Sequence, residues 1–310
     1  MVSKLVRISF ALALVAACGG APAPESSIDP HILQKALLSS TNGLSLNGMS
    51  TNGMSTNGMS TNGMSTNGMS TNGMSTNGLS TNGLSTTTFR NWFNLDPNYS
   101  SMVMKYVVRC GLAAGKTLSH TNAGVNYTWQ GALGLSPVWA SGQPIPVAEQ
   151  QLISACLGAH ANKYGVQMAI SVRGFFASGS QLPVTSSEAS SFDNDEGCYF
   201  GNLFDGTGVF TAYSYNSPMV SSGYSSLRAC ALNNGSLGDC FPLVATGYAC
   251  QDLCTGTNST FSLGSCSWGG IAYRPVSVRL SNSEIATCGD GVCDASESCS
   301  TCAHDCGSCH

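Results

Sequence analysis

Residues 146–173 read PVAEQQLISACLGAHANKYGVQMAISVR, and both kinds of secondary structure follow one another in that stretch. Pro146 suits the opening of a helix, where its missing N–H would have had no partner and its φ is already helical. Leu152, Ile153, Cys156, Leu157 and Tyr164 then recur at three- and four-residue spacing, which is one apolar stripe of a helix. Gly165 is placed to end it. From Val166 the period becomes two: Val166, Met168, Ile170 and Val172 alternate with Gln167, Ala169, Ser171 and Arg173. A helix that runs straight into an alternating strand predicts an α+β fold.

The same two patterns recur on either side. Asn98 or Ser100 is placed to cap a helix whose Met102, Val103, Tyr106, Val107 and Cys110 form a stripe, with Gly115 as its stop. Val276, Val278 and Leu280 alternate with Ser277 and Arg279 in a closing strand. Between them lie short segments and turn signals such as Asn233-Asn234-Gly235. Residues 88–287 therefore read as one disulfide-bonded domain with two helices and a small sheet.

The 15 cysteines divide by position into one, eight and six. Cys110, Cys156, Cys198, Cys230, Cys240, Cys250, Cys254 and Cys266 belong to the domain. Cys288, Cys293, Cys299, Cys302, Cys306 and Cys309 crowd the C-terminal module 288–310. Both groups are even, as disulfide pairing requires in an exported protein. Cys110 and Cys156 each sit on the apolar stripe of a predicted helix, so they are expected to bond to each other. Eight cysteines allow 105 pairings, and spacing alone leaves the others open. The rival reading of Cys250-Gln251-Asp252-Leu253-Cys254 is zinc ligation, since Cys-x₃-Cys falls within zinc spacing.

Cys18 stands apart from both groups. Residues 1–17 combine a short basic start, Lys4 and Arg7, with the apolar run Ile8 to Ala17. Ten residues at ~1.5 Å each cannot span ~30 Å of hydrocarbon, but they suit a cleaved signal peptide. The ending Val15-Ala16-Ala17-Cys18 resembles the bacterial lipobox, whose cysteine thiol receives diacylglycerol. The resemblance implies lipidation at Cys18 and attachment to a membrane. Gly19 and Gly20 follow without an aspartate, as in lipoproteins of the outer membrane.

Residues 18–40 then read as a linker, with an extended start at Ala21-Pro22-Ala23-Pro24. Residues 41–85 are nine pentapeptides: TNGLS, LNGMS, five of TNGMS and two of TNGLS. Asn-Gly every five residues in a charge-free, Ser/Thr-rich stretch suits a flexible tether of roughly 35–40 Å mean span. The competing reading is a right-handed β-solenoid, because Leu or Met recurs at one position. Gly43, Gly48 and Gly53 weigh against it, through the backbone entropy each loses on ordering.

The composition excludes one class of partner. Charged residues make up 9% of the chain, against about 25% in an average domain. Removing Lys4 and Arg7 with the signal leaves 10 basic against 16 acidic residues, a net charge of −6. No basic patch exists to neutralise phosphates, so nucleic acid is not an expected partner.

Phe89 to Leu280 also resembles an uncharacterised family of myxobacterial envelope lipoproteins. The resemblance rests on the run Met102 to Cys110 (MVMKYVVRC), Leu133 to Trp139 (LGLSPVW), Ile153 to Leu157 (ISACL), Glu196 to Phe204 (EGCYFGNLF) and Tyr273 to Val276 (YRPV). Asn-Gly-Leu-Ser pentapeptides commonly precede that domain in the family. The resemblance implies an envelope location and a shared fold. It implies no activity.

Candidate chemistry is sparse. Asp193, Asp195 and Glu196 precede Tyr199 and Phe200, and Gly201-Asn202 reads as a tight turn. Carboxylates beside aromatics suit a sugar, so Asp193, Asp195, Glu196, Tyr199, Phe200 and Asn202 form the candidate ligand contact. Trp129, Trp139 and Trp268 are further candidate platforms, against the ordinary role of tryptophan in a core. The same carboxylates could serve a tethered hydrolase. Cys156 and His160, four apart on one helix, would make a nucleophile pair if Cys156 were a free thiol. In the C-terminal module Asp290, Asp294, Glu297 and Asp305 offer oxygen ligands for Ca²⁺, the one candidate cofactor. The reading that fits the anchor, repeats and disulfides is a non-catalytic surface module. It would bind a glycan, a matrix component or another envelope protein.

Overall fold

The computed structural model describes residues 74–162, 168–217 and 243–281, the short strands at 49–52 and 54–55, and residues 299 and 306–309. Cys18, Cys230, Cys240, Cys288, Cys293, Cys302, Asp290, Asp294, Glu297 and Asp305 lie outside them. The architecture is α+β.

Two pieces of the pentapeptide array are built into the fold. Strand β1 (Met49–Asn52) pairs antiparallel with the domain's sheet, and β2 (Met54–Ser55) pairs parallel with a second two-residue strand. The last two and a half repeats form helices α1 (Met74–Asn77) and α2 (Thr81–Leu84). Met74, Leu79 and Leu84 are buried in the main core. The domain thus begins at residue 74 or earlier, and the tether reading does not hold for 74–85.

Helix α3 (Thr87–Leu95) starts at Thr86, whose hydroxyl accepts the Phe89 N–H at 3.2 Å. Helix α4 (Pro97–Gly111) is capped by Asp96, which accepts the N–H groups of Asn98 and Tyr99. The cap is therefore Asp96 with Pro97 at the first helical position, not Asn98 or Ser100, and the helix ends at Gly111 rather than Gly115. A hairpin follows, β3 (Thr117–Asn122) and β4 (Val125–Gln130). Its two-residue turn, Ala123 and Gly124, has φ of 48° and 81°, the left-handed pair that matches strand twist.

Helix α5 (Pro137–Ala140) is short. Helix α6 (Val147–His160) is the central helix expected from Pro146 onward, but it ends at His160 rather than at Gly165, and the chain turns at once into a strand; Tyr164 and Gly165 lie outside the described residues. Glu149 lies in the first turn of α6 and also serves the neighbouring helix α5. Its buried carboxylate accepts Val138 N–H at 2.9 Å and Trp139 N–H at 3.0 Å, capping α5. The strands β5 (Ala161–Asn162) and β6 (Met168–Gly174), helix α7 (Ser186–Ser191), and strands β7 (Asn194–Asn202) and β8 (Gly208–Tyr213) come next. Strand β9 (Leu243–Ala249) runs directly into α8 (Cys250–Leu253). Strands β10 (Cys254–Thr255), β11 (Ser265–Trp268), β12 (Ile271–Tyr273) and β13 (Val276–Leu280) close the domain.

The main sheet has the order β1-β6-β13-β7-β8-β9. Its neighbours are antiparallel except β8 and β9, which run parallel. Ile170, Val172, Val276, Val278, Tyr199 and Val209 belong to the core that α6 packs upon. Gly158 permits that contact: a Cβ there would fall 2.7 Å from Val209 Cγ1. Helices α4 and α6 are joined by the expected Cys110–Cys156 disulfide, with Cα atoms 6.1 Å apart. Closing a loop of this length contributes on the order of 2–4 kcal/mol.

The opposite face of the sheet divides in two. Its apolar half places Cys198, Phe200, Phe210 and Ala212 under the small β10-β11-β12 sheet, with Phe261, Leu263 and Tyr273. Disulfides Cys198–Cys250 and Cys254–Cys266 bind that layer together. Its polar half holds Ser171 and Arg173 on β6, paired in register with Arg279 and Ser277 on β13. In the C-terminal module Cys299 bonds Cys309, and Cys306 is disulfide-bonded too.

Candidate functional site

The acidic–aromatic segment is a central strand, and most of it is out of reach of solvent. Tyr199 and Phe200 point to opposite faces of β7 and are both buried. Gly201 and Asn202 end the strand and are not a tight turn. The Asn202 amide donates to Gln150 Oε1 at 3.0 Å and its oxygen accepts the Phe204 N–H. Glu196 is buried. Asp195 is held by Arg279, with Nε to Oδ1 at 2.8 Å. Asp193 alone of the six is exposed; its carboxylate accepts from Asn194 and its carbonyl from Arg279 Nη2. Only Asp193 of this set is placed to meet a ligand directly.

The other candidates also have structural surroundings. Cys156 is bonded to Cys110, so it is no free thiol beside His160. His160 packs against Tyr106, with Nδ1 2.8 Å from the Cys156 carbonyl oxygen. His120 lies edge-on between the rings of Phe89 and Phe93, and burial there pushes its pKa down. Cys250 and Cys254 bond to different partners, which removes them as thiolate ligands for zinc. The sulfur groupings Cys110–Cys156–His160 and Cys198–Cys254–Cys266 are likewise built on disulfide sulfurs. Trp139 is fully buried, and Trp129 is buried with Nε1 donating to Ser101 Oγ at 3.1 Å.

Exposed aromatics gather instead where the parallel pair β8 and β9 ends. Tyr215 is 60% exposed and Tyr248 53% exposed. The register pairs Tyr213 with Ala249, so both strands deliver their last residues to the same end of the sheet, and α8 begins there. Gly247, at φ 75°, redirects the chain just before Tyr248. The Tyr248 ring meets the half-buried Trp268 edge-on, with centroids 5.9 Å apart, and Trp268 in turn rests on Phe210. Ile271, 52% exposed, pairs across from Trp268 on β12.

Polar groups accompany Tyr215. Tyr215 donates its hydroxyl to the exposed Asp252 at 2.6 Å, and its N–H to Gln251 Oε1 at 3.3 Å. Gln251 Nε2 donates to Ser214 Oγ. The hydrogen bond to Asp252 raises the Tyr215 pKa above its ordinary value. Tyr213 meets Tyr215 edge-on at 6.4 Å. Tyr215 thus has an acid and an amide beside it, while Tyr248 and Trp268 form a ring pair of their own. Of these residues the sequence reading singled out only Trp268. The available signal was the period-two Tyr213-Ser214-Tyr215 at a strand end, followed by Gly247-Tyr248 ahead of the Cys250 bridge.

A concavity of about 330 Å³ lies where Ala113, Leu133, Phe176 and Pro183 meet. None of its lining side chains ionises, so it has little to orient a polar ligand. No helix among the described residues is long and apolar enough to cross a membrane. No protein-family model matches this chain, and neither curated proteins nor solved structures match it.

Proposed function

We propose that this chain is an envelope lipoprotein, anchored through Cys18, whose domain binds a glycan without transforming it. The observation that carries the reading is two exposed aromatic groups at this end of the sheet, Tyr215 with Asp252 and Gln251, and Tyr248 with Trp268. Sugars present apolar C–H faces and a rim of hydroxyls. Tyrosine and tryptophan bury the faces at low entropy cost, and the Asp252 carboxylate and Gln251 amide can take the hydroxyls. The scarcity of surface charge fits a neutral ligand. The signal, the small residues before Cys18 and the Gly19-Gly20 that follow it without an aspartate support display on the outer membrane.

A glycan array probed with the mature chain, followed by calorimetry on the best ligand, tests the binding. Tyr248→Ala and Asp252→Asn should each weaken binding about tenfold or more, which is 1.4 kcal/mol or above. Unchanged affinity in both variants would place any binding elsewhere. Turnover of glycosidase, esterase or peptidase substrates would favour the tethered hydrolase.

The anchor is tested separately. Cys18→Ser should move the protein from the membrane fraction to the soluble one, since it removes the acyl chains that hold it. A variant still wholly membrane-bound would defeat the lipid anchor.

A further inference from the structure

Two disulfides of this domain touch. Cys198 and Cys250 form one, Cys254 and Cys266 the other. Yet Cys198 Sγ lies only 3.8 Å from Cys254 Sγ. The sulfurs of Cys198, Cys254 and Cys266 are all within 4.8 Å of one another. Disulfides exchange by attack of a thiolate on a neighbouring sulfur, so contact of this kind is what exchange requires. We propose that Cys198, Cys250, Cys254 and Cys266 form one exchangeable four-sulfur cluster. Its resting pairs convert to a Cys198–Cys254 pair when a dithiol reductant supplies two electrons.

The steps balance. Cys254 is 8% exposed, whereas Cys198, Cys250 and Cys266 are fully buried, so Cys254 is the point of entry. A dithiol's thiolate attacks Cys254 Sγ and Cys266 leaves as a thiolate that takes up a proton. The second thiol of the reductant closes its own disulfide and releases Cys254 as a thiolate. Cys254 then attacks Cys198 Sγ. The Cys198–Cys254 bond forms, the Cys198–Cys250 bond breaks, and Cys250 leaves and is protonated. The products are one protein disulfide, two protein thiols and one oxidised dithiol. The released Cys250 thiol has an acceptor in place, because its sulfur already lies 3.2 Å from the Ala212 carbonyl oxygen.

The consequence concerns α8, which spans Cys250–Leu253 and is immediately followed by Cys254. At rest its first residue is fastened to the central strand β7 through Cys198. After exchange that attachment passes to Cys254, at the other end of the helix. Gln251 and Asp252, the two residues that hold Tyr215, lie between the two attachment points. Exchange therefore regulates the aromatic surface, a consequence that rests on the glycan-binding reading. The exchange itself does not depend on that reading.

The test is a thiol map of the full mature chain after limiting treatment with a dithiol, acid quenching, alkylation and mass spectrometry of unreduced peptides. The expected result is label on Cys250 and Cys266 together with a Cys198–Cys254-linked peptide. Label confined to Cys254 and Cys266, with the Cys198–Cys250 link intact, would overturn the proposal. Cys266→Ser gives a second test that needs no reductant: its thiol label should be shared between Cys254 and Cys250. Label on Cys254 alone would again overturn it. The sharing should be unchanged on tenfold dilution, and a fall would assign it to collisions between molecules. No glycan enters these measurements. A chain that exchanges but binds no glycan removes the binding reading and leaves the cluster standing.

Discussion

Arg173→Met should destabilise the domain by about 3–5 kcal/mol, while Arg173→Met combined with Glu188→Gln should restore it to the wild-type level or above. Arg173 is fully buried, and none of its three guanidinium nitrogens has a hydrogen-bond acceptor among the described residues. Glu188 is buried opposite, on α7. Its Oε1 accepts the Ser171 hydroxyl at 2.6 Å, while Oε2 has no such donor among the described residues. Burial pulls the Arg173 guanidinium below its usual range. The Glu188 carboxylate opposes that fall, Arg279 adds to it, and Asp195 opposes it. Two desolvated charges of opposite sign thus compensate each other in a buried layer. Removing one strands the other, whereas removing both removes the desolvation cost as well.

The same pair gives a pH dependence of definite sign. Burial raises the Glu188 pKa, against the Ser171 hydrogen bond and Arg173, which lower it. Burial also raises Asp195, against Arg279. A carboxyl raised in the folded state binds its proton more tightly there than in the unfolded chain. Its contribution is fully present below the unfolded pKa and is lost as pH rises through the folded one. In Arg173→Met the cation that held Glu188 down is absent, so the deficit should be largest at neutral pH. It should shrink as pH falls toward ~4. Urea midpoints at constant slope measure both effects. A deficit indifferent to pH and to Glu188→Gln would assign it to lost packing of the arginine stem alone.

Arg173 shows where sequence reading stops. Its place in an alternating strand was legible, because Val166 to Arg173 carries a period of two. The stripe on α6 and the closing strand Val276–Leu280 were legible for the same reason, and so was the Cys110–Cys156 bond between two helical stripes. Strand β7 was not. Asp193, Asp195 and Glu196 look like a solvated loop until Arg279, a long way along the chain, is paired with Asp195. Local polarity cannot announce a charge that is neutralised across a sheet. The aromatic surface was hidden for a similar reason. Tyr248 and Trp268 become neighbours only once the small β10-β11-β12 sheet packs on the main sheet that contains β9. The α4 cap was within reach, since Asp96-Pro97 is a cap-and-first-position pair, but the nearer Asn98 and Ser100 drew the assignment away from it.

The end of the repeat array is the sharpest case, and Trp139→Ala tests it. The last two pentapeptides, 76–80 and 81–85, share one sequence and differ from the earlier TNGMS units only by Leu for Met. Their order comes from what they meet. Trp139 is fully buried, and its indole donates to the Met74 carbonyl at 2.7 Å. Its own carbonyl accepts the Leu79 N–H at 2.9 Å, and Ser75 accepts the Ile145 N–H at 3.0 Å. Gly78, at φ 84°, lets the chain press on Gly142, where a Cβ would fall 2.4 Å from its Cα. Trp139→Ala removes the ring that holds the Met74 carbonyl and that Phe204 meets edge-on. It should cost about 3–5 kcal/mol. Trp139→Phe keeps most of the volume and loses one hydrogen bond, and the Met74 carbonyl still accepts the Gly78 N–H. That change should cost about 0.5–1.5 kcal/mol for the bond itself. Limited proteolysis reads the mechanism separately from stability. Residues 74–85 should resist a broad-specificity protease in the wild type and be cut many times faster in Trp139→Ala under conditions where residues 88–162 remain intact. Equal cutting of 74–85 in both proteins would show that these repeats gain their order from something other than Trp139.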